Sequence, residues 1–167
     1  MNITNVLVVD DDIVVCRIVH RMLSNEQCKV QTSQSVADAL GVIEQKPFGV
    51  YVIDYKLPGG NGFDVAERIR SKWGPAPIII ISSYAPSDIA SRAEKLGISN
   101  FLRKPFSREI ISNAVKMAIG SPPVVQGQMS VGDTPDRRKV RTPKMACCMA
   151  AVKALFGNAR HGQHAQV

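Results

Sequence analysis

Five short apolar runs alternate, over the first 120 residues, with segments whose apolar positions recur every three or four. Val6–Val9, Gly49–Ile53 and Pro77–Ile81 are almost solidly apolar, as strands buried on both faces of a parallel sheet should be. Cys28–Thr32 reads as a second, more peripheral strand and Asn100–Leu102 as a fifth. After the first strand, Val15, Ile18, Val19, Met22 and Leu23 fall at helical spacing. Ser35-Val36-Ala37-Asp38 has capping-box spacing, with Asp in place of the usual Glu or Gln, and opens a helix carrying Ala39, Leu40 and Ile43. Leu57-Pro58-Gly59-Gly60-Asn61-Gly62 is a loop signal. A short third helix is expected over Phe63–Ser71 and a fourth over Ser87–Leu96, with Gly97 as its C-terminal cap. Ser107 suits the N-cap of a last helix bearing Ile110, Ile111, Ala114, Val115 and Ala118. Five strand–helix pairs predict one doubly wound α/β sheet with right-handed crossovers and helices on both faces.

The pattern stops at Gly120-Ser121-Pro122-Pro123. Residues 121–144 are rich in Pro, Gly, Ser, Gln, Thr and Arg and show no hydrophobic period, which predicts disorder. Met145–Phe156 could form a short helix, with partner binding as its alternative role, before a polar end. The expected organisation is a domain over 1–120 and a basic tail over 121–167. Charge supports the division, because the net +7 separates into +2 for residues 1–120 and +5 for the tail. Arg137-Arg138-Lys139-Val140-Arg141 reads as a solvated stretch, with electrostatic contact to nucleic acid or an acidic partner as the alternative. No aromatic residue is interleaved there, so a base-stacking platform is not indicated. Cys147-Cys148 with His161 and His164 fits no standard zinc spacing. No apolar stretch reaches the roughly 18–20 residues of a membrane span. The start lacks the basic region of a signal peptide. A cytoplasmic protein with reduced cysteines is expected.

The strand ends carry the chemistry. The first runs into Asp10-Asp11-Asp12, the third into Asp54, the fourth into Ser82-Ser83 and the fifth into Arg103-Lys104-Pro105. In neighbouring parallel strands these ends share the edge at which open α/β sheets hold ligands. Grouped carboxylates repel one another, and a hard cation such as Mg²⁺ relieves that. One carboxylate could act as nucleophile and form an acyl phosphate. Lys104 and Ser82 could stabilise the charge on a transferred phosphoryl group. Asp12 suits the N-cap of the first helix better than a ligand role.

VLVVDDD, VIDYKLPGGNG, IIIISS and FLRKPF, in that order, resemble the receiver domain of bacterial two-component response regulators over residues 5–119. The resemblance implies a flavodoxin-like (βα)5 fold with strand order 2-1-3-4-5. It implies that Asp54 is the phosphoacceptor, receiving its phosphoryl group from a histidine kinase or phosphotransfer protein. Asp10 and Asp11 would hold Mg²⁺ together with Asp54 and the backbone carbonyl of Lys56. Ser82, favoured over Ser83 by counting from Pro77, would be the switch hydroxyl. Lys104 would pair with a phosphoryl oxygen, and Lys104-Pro105 would be a cis bond. Phe101 stands where a switch aromatic, often Tyr, turns inward; plain core is the alternative, and it lacks the tyrosine hydroxyl. Lys56 and Tyr84 occupy positions that tune dephosphorylation and depart from the small or amide residues common there.

The chain has no room for a conventional effector domain of about 60–100 residues beside this one. A stand-alone phosphoacceptor module is therefore expected, signalling to a downstream protein through the surface of the fourth helix, fifth strand and fifth helix. Its phosphorylated form could pair as a homodimer. A second reading is a receiver whose tail binds nucleic acid. A third is a haloacid-dehalogenase-like phosphatase, with Asp10 as nucleophile and Asp12 as acid/base; it leaves Asp54 without a role.

Overall fold

The computed structural model describes residues 3–25, 27–83 and 89–120, with 89–91 described by backbone alone. Tyr84, the tail 121–167 and its expected helix at 145–156 lie outside these residues.

The elements follow in the order β1 (Thr4–Val9), α1 (Ile13–Leu23), β2 (Cys28–Ser33), α2 (Val36–Gln45), β3 (Val50–Asp54), β4 (Lys56–Leu57), β5 (Gly60–Asn61), α3 (Gly62–Trp73), β6 (Ile78–Ser82), α4 (Ile89–Lys95), β7 (Asn100–Arg103) and α5 (Arg108–Gly120). One parallel five-stranded sheet has the order β2-β1-β3-β6-β7, so β2 is an edge strand. This is the expected flavodoxin-like arrangement. The loop after β3 differs from expectation, because part of it folds into a small antiparallel hairpin, Lys56 opposite Asn61 and Leu57 opposite Gly60.

Period-two geometry divides the sheet's side chains between two layers. Val6, Val8, Val50, Val52, Ile79, Ile81 and Leu102 form one core with Val19 and Leu23 of α1 and Ile111, Ala114 and Val115 of α5. The alternate residues Leu7, Val9, Tyr51, Ile53, Ile78 and Ile80 are equally buried and point to the other face. There α2 and α3 pack on each other, with the Trp73 indole N–H donating to Ile43 O at 2.9 Å. Each such Val or Ile contributes about 1.5–3 kcal/mol by burial. Because both faces are covered, Val6–Val9, Val50–Ile53 and Ile78–Ile81 carry no charged residue before their carboxyl ends.

The caps fix where each strand delivers its chain. Asp12 accepts the Val14 N–H at 2.8 Å and caps α1, as expected. Ser35 accepts the Asp38 N–H at 3.1 Å. A full reciprocal capping box occurs elsewhere: Asn61 caps α3, while Asp64 accepts the Asn61 N–H at 2.7 Å. This box starts α3 at Gly62, inside the segment that reads as loop. Gly97 ends α4 at φ +58°, with the Ile98 N–H on Ala93 O and the Gly97 N–H on Glu94 O.

Gly62 has a steric role. A Cβ built there would lie 2.4 Å from Asp54 O and 3.2 Å from Ile53 Cγ2. Its N–H also donates to Tyr55 O at 2.8 Å. The start of α3 is thereby pressed against the end of β3. Gly62→Ala is expected to destabilise the protein by about 2–3 kcal/mol in urea denaturation. Gly41→Ala, mid-helix with nothing near its added Cβ, should instead stabilise by up to about 1 kcal/mol.

Candidate functional site

The carboxyl ends of β1, β3, β6 and β7 meet at a cavity of about 410 Å³ lined by Asp10, Asp11, Asp54, Lys56, Ser82 and Lys104, among others. The sheet register places them there. Val9 pairs with Ile53, so the chain leaving β1 at Asp10 emerges beside Asp54. Ser82 pairs with Arg103, which sets Lys104 at the same level.

The Lys104 ammonium spans two strands. Its Nζ lies 2.5 Å from Asp10 Oδ2 and 2.9 Å from Asp54 Oδ1. Asp10 is fully buried, and the Lys104 side chain is 16% exposed. Burial by itself would depress the ammonium, but its bonds to Asp10 and Asp54 outweigh that and hold its pKa above the ordinary lysine value. Asp54 is pushed up by burial, which its bond to Lys104 offsets only in part. Its ionised form is thus costly in the absence of a further cation. The remaining carboxylate oxygens are held from the backbone. Asp12 N–H donates to Asp10 Oδ1 and Lys56 N–H to Asp54 Oδ2, both at 3.1 Å.

Asp11 is exposed, yet it offers a carboxylate oxygen within 4.8 Å of those of Asp10 and Asp54. This is a donor set for a hard divalent cation: three carboxylates, one of them facing solvent and so able to leave room for retained waters. Ser82 is buried and lines the cavity, and its carbonyl accepts the Lys104 N–H at 2.8 Å. Ser83 lines it too but is exposed. Lys104-Pro105 is cis, as the resemblance implied. Phe101 is buried on β7, opposite Ile80 of β6, and stands apart from the carboxylates. Asp12 lines the cavity rim with its carboxylate occupied as a cap.

Two neighbours of the site were not legible in the sequence. The Cys16 thiol donates to Asp10 O at 3.2 Å from behind. Burial, reinforced by the negative charge of Asp10, pushes its pKa up to about 11. Tyr55 lines the cavity and packs edge-on against Phe63 of α3. Neither shows in the sequence, because a thiol facing a carbonyl and an aromatic pair across a loop are set by tertiary packing.

A family model for the response regulator receiver domain matches residues 6–116. The chain belongs to the response regulator receiver domain family. Among curated relatives, the acid tolerance regulatory protein ActR of Rhizobium meliloti is 32% identical over 111 residues, 66% of this receiver chain and 57% of ActR. The photosynthetic apparatus regulatory protein RegA of Cereibacter sphaeroides is 29% identical over 128 residues, covering 75% of this chain and 69% of RegA. The response regulator protein PilR of Pseudomonas aeruginosa is 25% identical over 142 residues, which is 81% of this chain but 32% of PilR. The receiver chain therefore spans between a third and about two thirds of these relatives. A CheY-like receiver domain protein from Methanospirillum hungatei JF-1 shares the fold at a TM-score of 0.68 and 21% identity, over 71% of this chain and 95% of its own. A response regulator protein from Burkholderia pseudomallei, solved with a phosphorylated aspartic acid, a calcium ion and citrate, matches at 26% identity and a TM-score of 0.61. That match covers 67% of this chain and 66% of the other. Receiver domains are signalling domains of two-component systems rather than classical enzymes. Among the described residues, no helix is long and apolar enough to cross a membrane.

The raised Lys104 pKa carries a pH signature. A folded-state value above the unfolded one contributes stability that is complete below about pH 10.5, the ordinary lysine value. It is lost as pH rises through the higher folded value. Lys104→Met leaves the buried Asp10 and Asp54 uncompensated, at a cost of about 3–5 kcal/mol in magnesium-free buffer. Urea denaturation across pH should show that gap constant between about pH 7 and 9 and narrowing above about 10.5.

Proposed function

We propose that this receiver domain, taken as residues 1–120, accepts a phosphoryl group on Asp54 from a histidine kinase or phosphotransfer protein. The observation that carries the reading is the placement of the Lys104 ammonium between Asp10 and Asp54, with Asp11 beside them. An Asp54 oxygen attacks the phosphorus of a phosphohistidine. The new O–P bond forms as the N–P bond breaks, and the imidazole leaves with the electron pair. The side chains of Asp10, Asp11 and Asp54, with the Lys56 carbonyl, would hold Mg²⁺, which would supply positive charge to screen the carboxylates and the phosphoryl oxygens. Lys104 exchanges its contact with Asp54 for one with a phosphoryl oxygen, and the Ser82 hydroxyl takes another. The phosphorylated aspartic acid and calcium ion in the Burkholderia pseudomallei relative support this chemistry.

The acyl phosphate then favours one of two conformations of the surface formed by α4, β7 and α5, to which Phe101 contributes. A downstream protein, or a second copy of the chain, reads that surface. Lys56 and Tyr84 set the acyl-phosphate lifetime. We read the protein as cytoplasmic, and residues 121–167 as a basic tail in sequence.

Treatment with acetyl phosphate or beryllofluoride and Mg²⁺ tests the assignment. Intact-mass and peptide analysis should place the adduct on Asp54, and Asp54→Asn should abolish it with the fold retained. An adduct that survives Asp54→Ala and disappears in Asp10→Ala would instead favour the phosphatase reading. Lys104→Ala should still accept the phosphoryl group but lose the surface change, read as phosphorylation-dependent partner binding or dimerisation. A full response in that variant would remove Lys104 from the switch.

A further inference from the structure

Two arginines tie α3 to α4, and neither lines the acceptor cavity. Arg70 of α3 is half-buried and directs its guanidinium to backbone carbonyls. Its Nε donates to Leu96 O at 2.7 Å and Nη2 to Gly97 O at 2.6 Å. Its Nη1 donates to Ala76 O at 2.5 Å and, more weakly, to Gly74 O at 3.4 Å. Leu96 and Gly97 follow directly on α4, where carbonyls lack helical partners and the helix end is partially negative. One half-buried cation therefore pins the C-terminal end of α4 to the end of α3.

Arg92, within α4, reaches back to α3. Its Nη2 lies 2.9 Å from Glu67 and 3.6 Å from Asp64. Its guanidinium carbon sits 5.1 Å from the centroid of the Phe63 ring. The Phe63 ring in turn meets Tyr55 edge-on, with centroids 5.5 Å apart and planes at 76°. Tyr55 follows Asp54 in sequence and lines the acceptor cavity. Asp64 is itself held by the Asn61 N–H, at the end of the hairpin that begins with Lys56. A continuous set of contacts thus runs from the cavity through α3 to α4, without Ser82 or Phe101.

The two attachments differ in strength. Arg70, half-buried, makes charge-assisted bonds to three carbonyls at 2.5–2.7 Å, the strong kind. Arg92 and its acidic partners have side chains between 41% and 53% exposed, where ion pairs give little net stability. A helix held firmly at one end and weakly along its length can swing about the firm end.

We propose that α4 is a lever hinged at Arg70 and latched at Arg92, and that the Tyr55–Phe63 ring pair transmits occupancy of the acceptor cavity to the latch. This rests on Asp54 being the phosphoryl acceptor. A group bound at Asp54 crowds the Tyr55 ring, loosens its seat on Phe63 and releases Arg92 from α3, while Leu96 and Gly97 stay in place.

Amide NMR of the full chain, with and without beryllofluoride and Mg²⁺, tests the proposal. In the wild type, the adduct should shift the amides of Arg92 and Glu94 and leave Leu96–Ile98 nearly unmoved. In Arg92→Gln and Phe63→Leu the fluorine signal of the adduct should persist, while the shifts at residues 92–95 fall to about half or less. In Arg70→Met, amide exchange at Gly97 and Ile98 should rise about tenfold or more before any adduct is added. Phe63 is buried; Arg92→Gln leaves the core intact, so the test stays decisive if Phe63→Leu does not fold. A wild-type α4 response in Arg92→Gln, or unchanged exchange at Gly97 and Ile98 in Arg70→Met, would overturn the proposal. Absence of an adduct in the wild type would overturn the acceptor assignment instead.

Discussion

Two carboxylates buried side by side would repel each other by several kcal/mol even at an effective dielectric near 20. Here one ammonium, arriving from a third strand, stands between them: Lys104 binds Asp10 and Asp54 at once. The rest of the site depends on that bridge. It forms only if β1, β3, β6 and β7 lie in register, because a one-residue slip would carry every strand-end group to the wrong face or the wrong level. The apolar strands fix the register, and the register places the charges. Stability and chemistry are therefore coupled through a few residues at one edge of the sheet.

Much of this was legible in the chain. Val6–Val9, Val50–Ile53 and Ile78–Ile81 are buried at every position, so their apolar character identified them without help from tertiary structure. Each ends in a polar residue at the same edge, which is why Asp10, Asp54 and Ser82 could be named together. Asp12 was recognisable as a cap from its place between strand and helix. Less was legible where a strong local signal concealed a second one. The glycines at 59, 60 and 62 read as loop, yet Asn61-x-x-Asp64 within and just after them is a capping box, and Gly62 already belongs to α3. The paired hairpin in that loop has only two residues on each side, too few for any periodicity to appear.

Nothing in the sequence distinguished Arg70 from the other arginines. Its partners are main-chain carbonyls from two loops, and carbonyls are the same whatever the residue. A composition-based reading sees charge and expects solvent or a carboxylate. The fold instead gives this cation to helix ends, where it joins segments some 26 residues apart in the chain. The α3 side of the molecule thus adds the directional bonds of Arg70 to its apolar packing, whereas α1 and α5 meet the sheet through a broad apolar cluster. Packing tolerates small sliding, and directional bonds do not. The two layers over the sheet will therefore answer the same disturbance differently.

The thiol behind Asp10 has a separate consequence. Cys16 is 1% exposed and its pKa stands at about 11, so almost no thiolate exists near neutral pH. Peroxides and electrophiles react with the thiolate form. Although this cysteine touches the backbone of a site acid, burial and protonation together keep its thiol from such reagents.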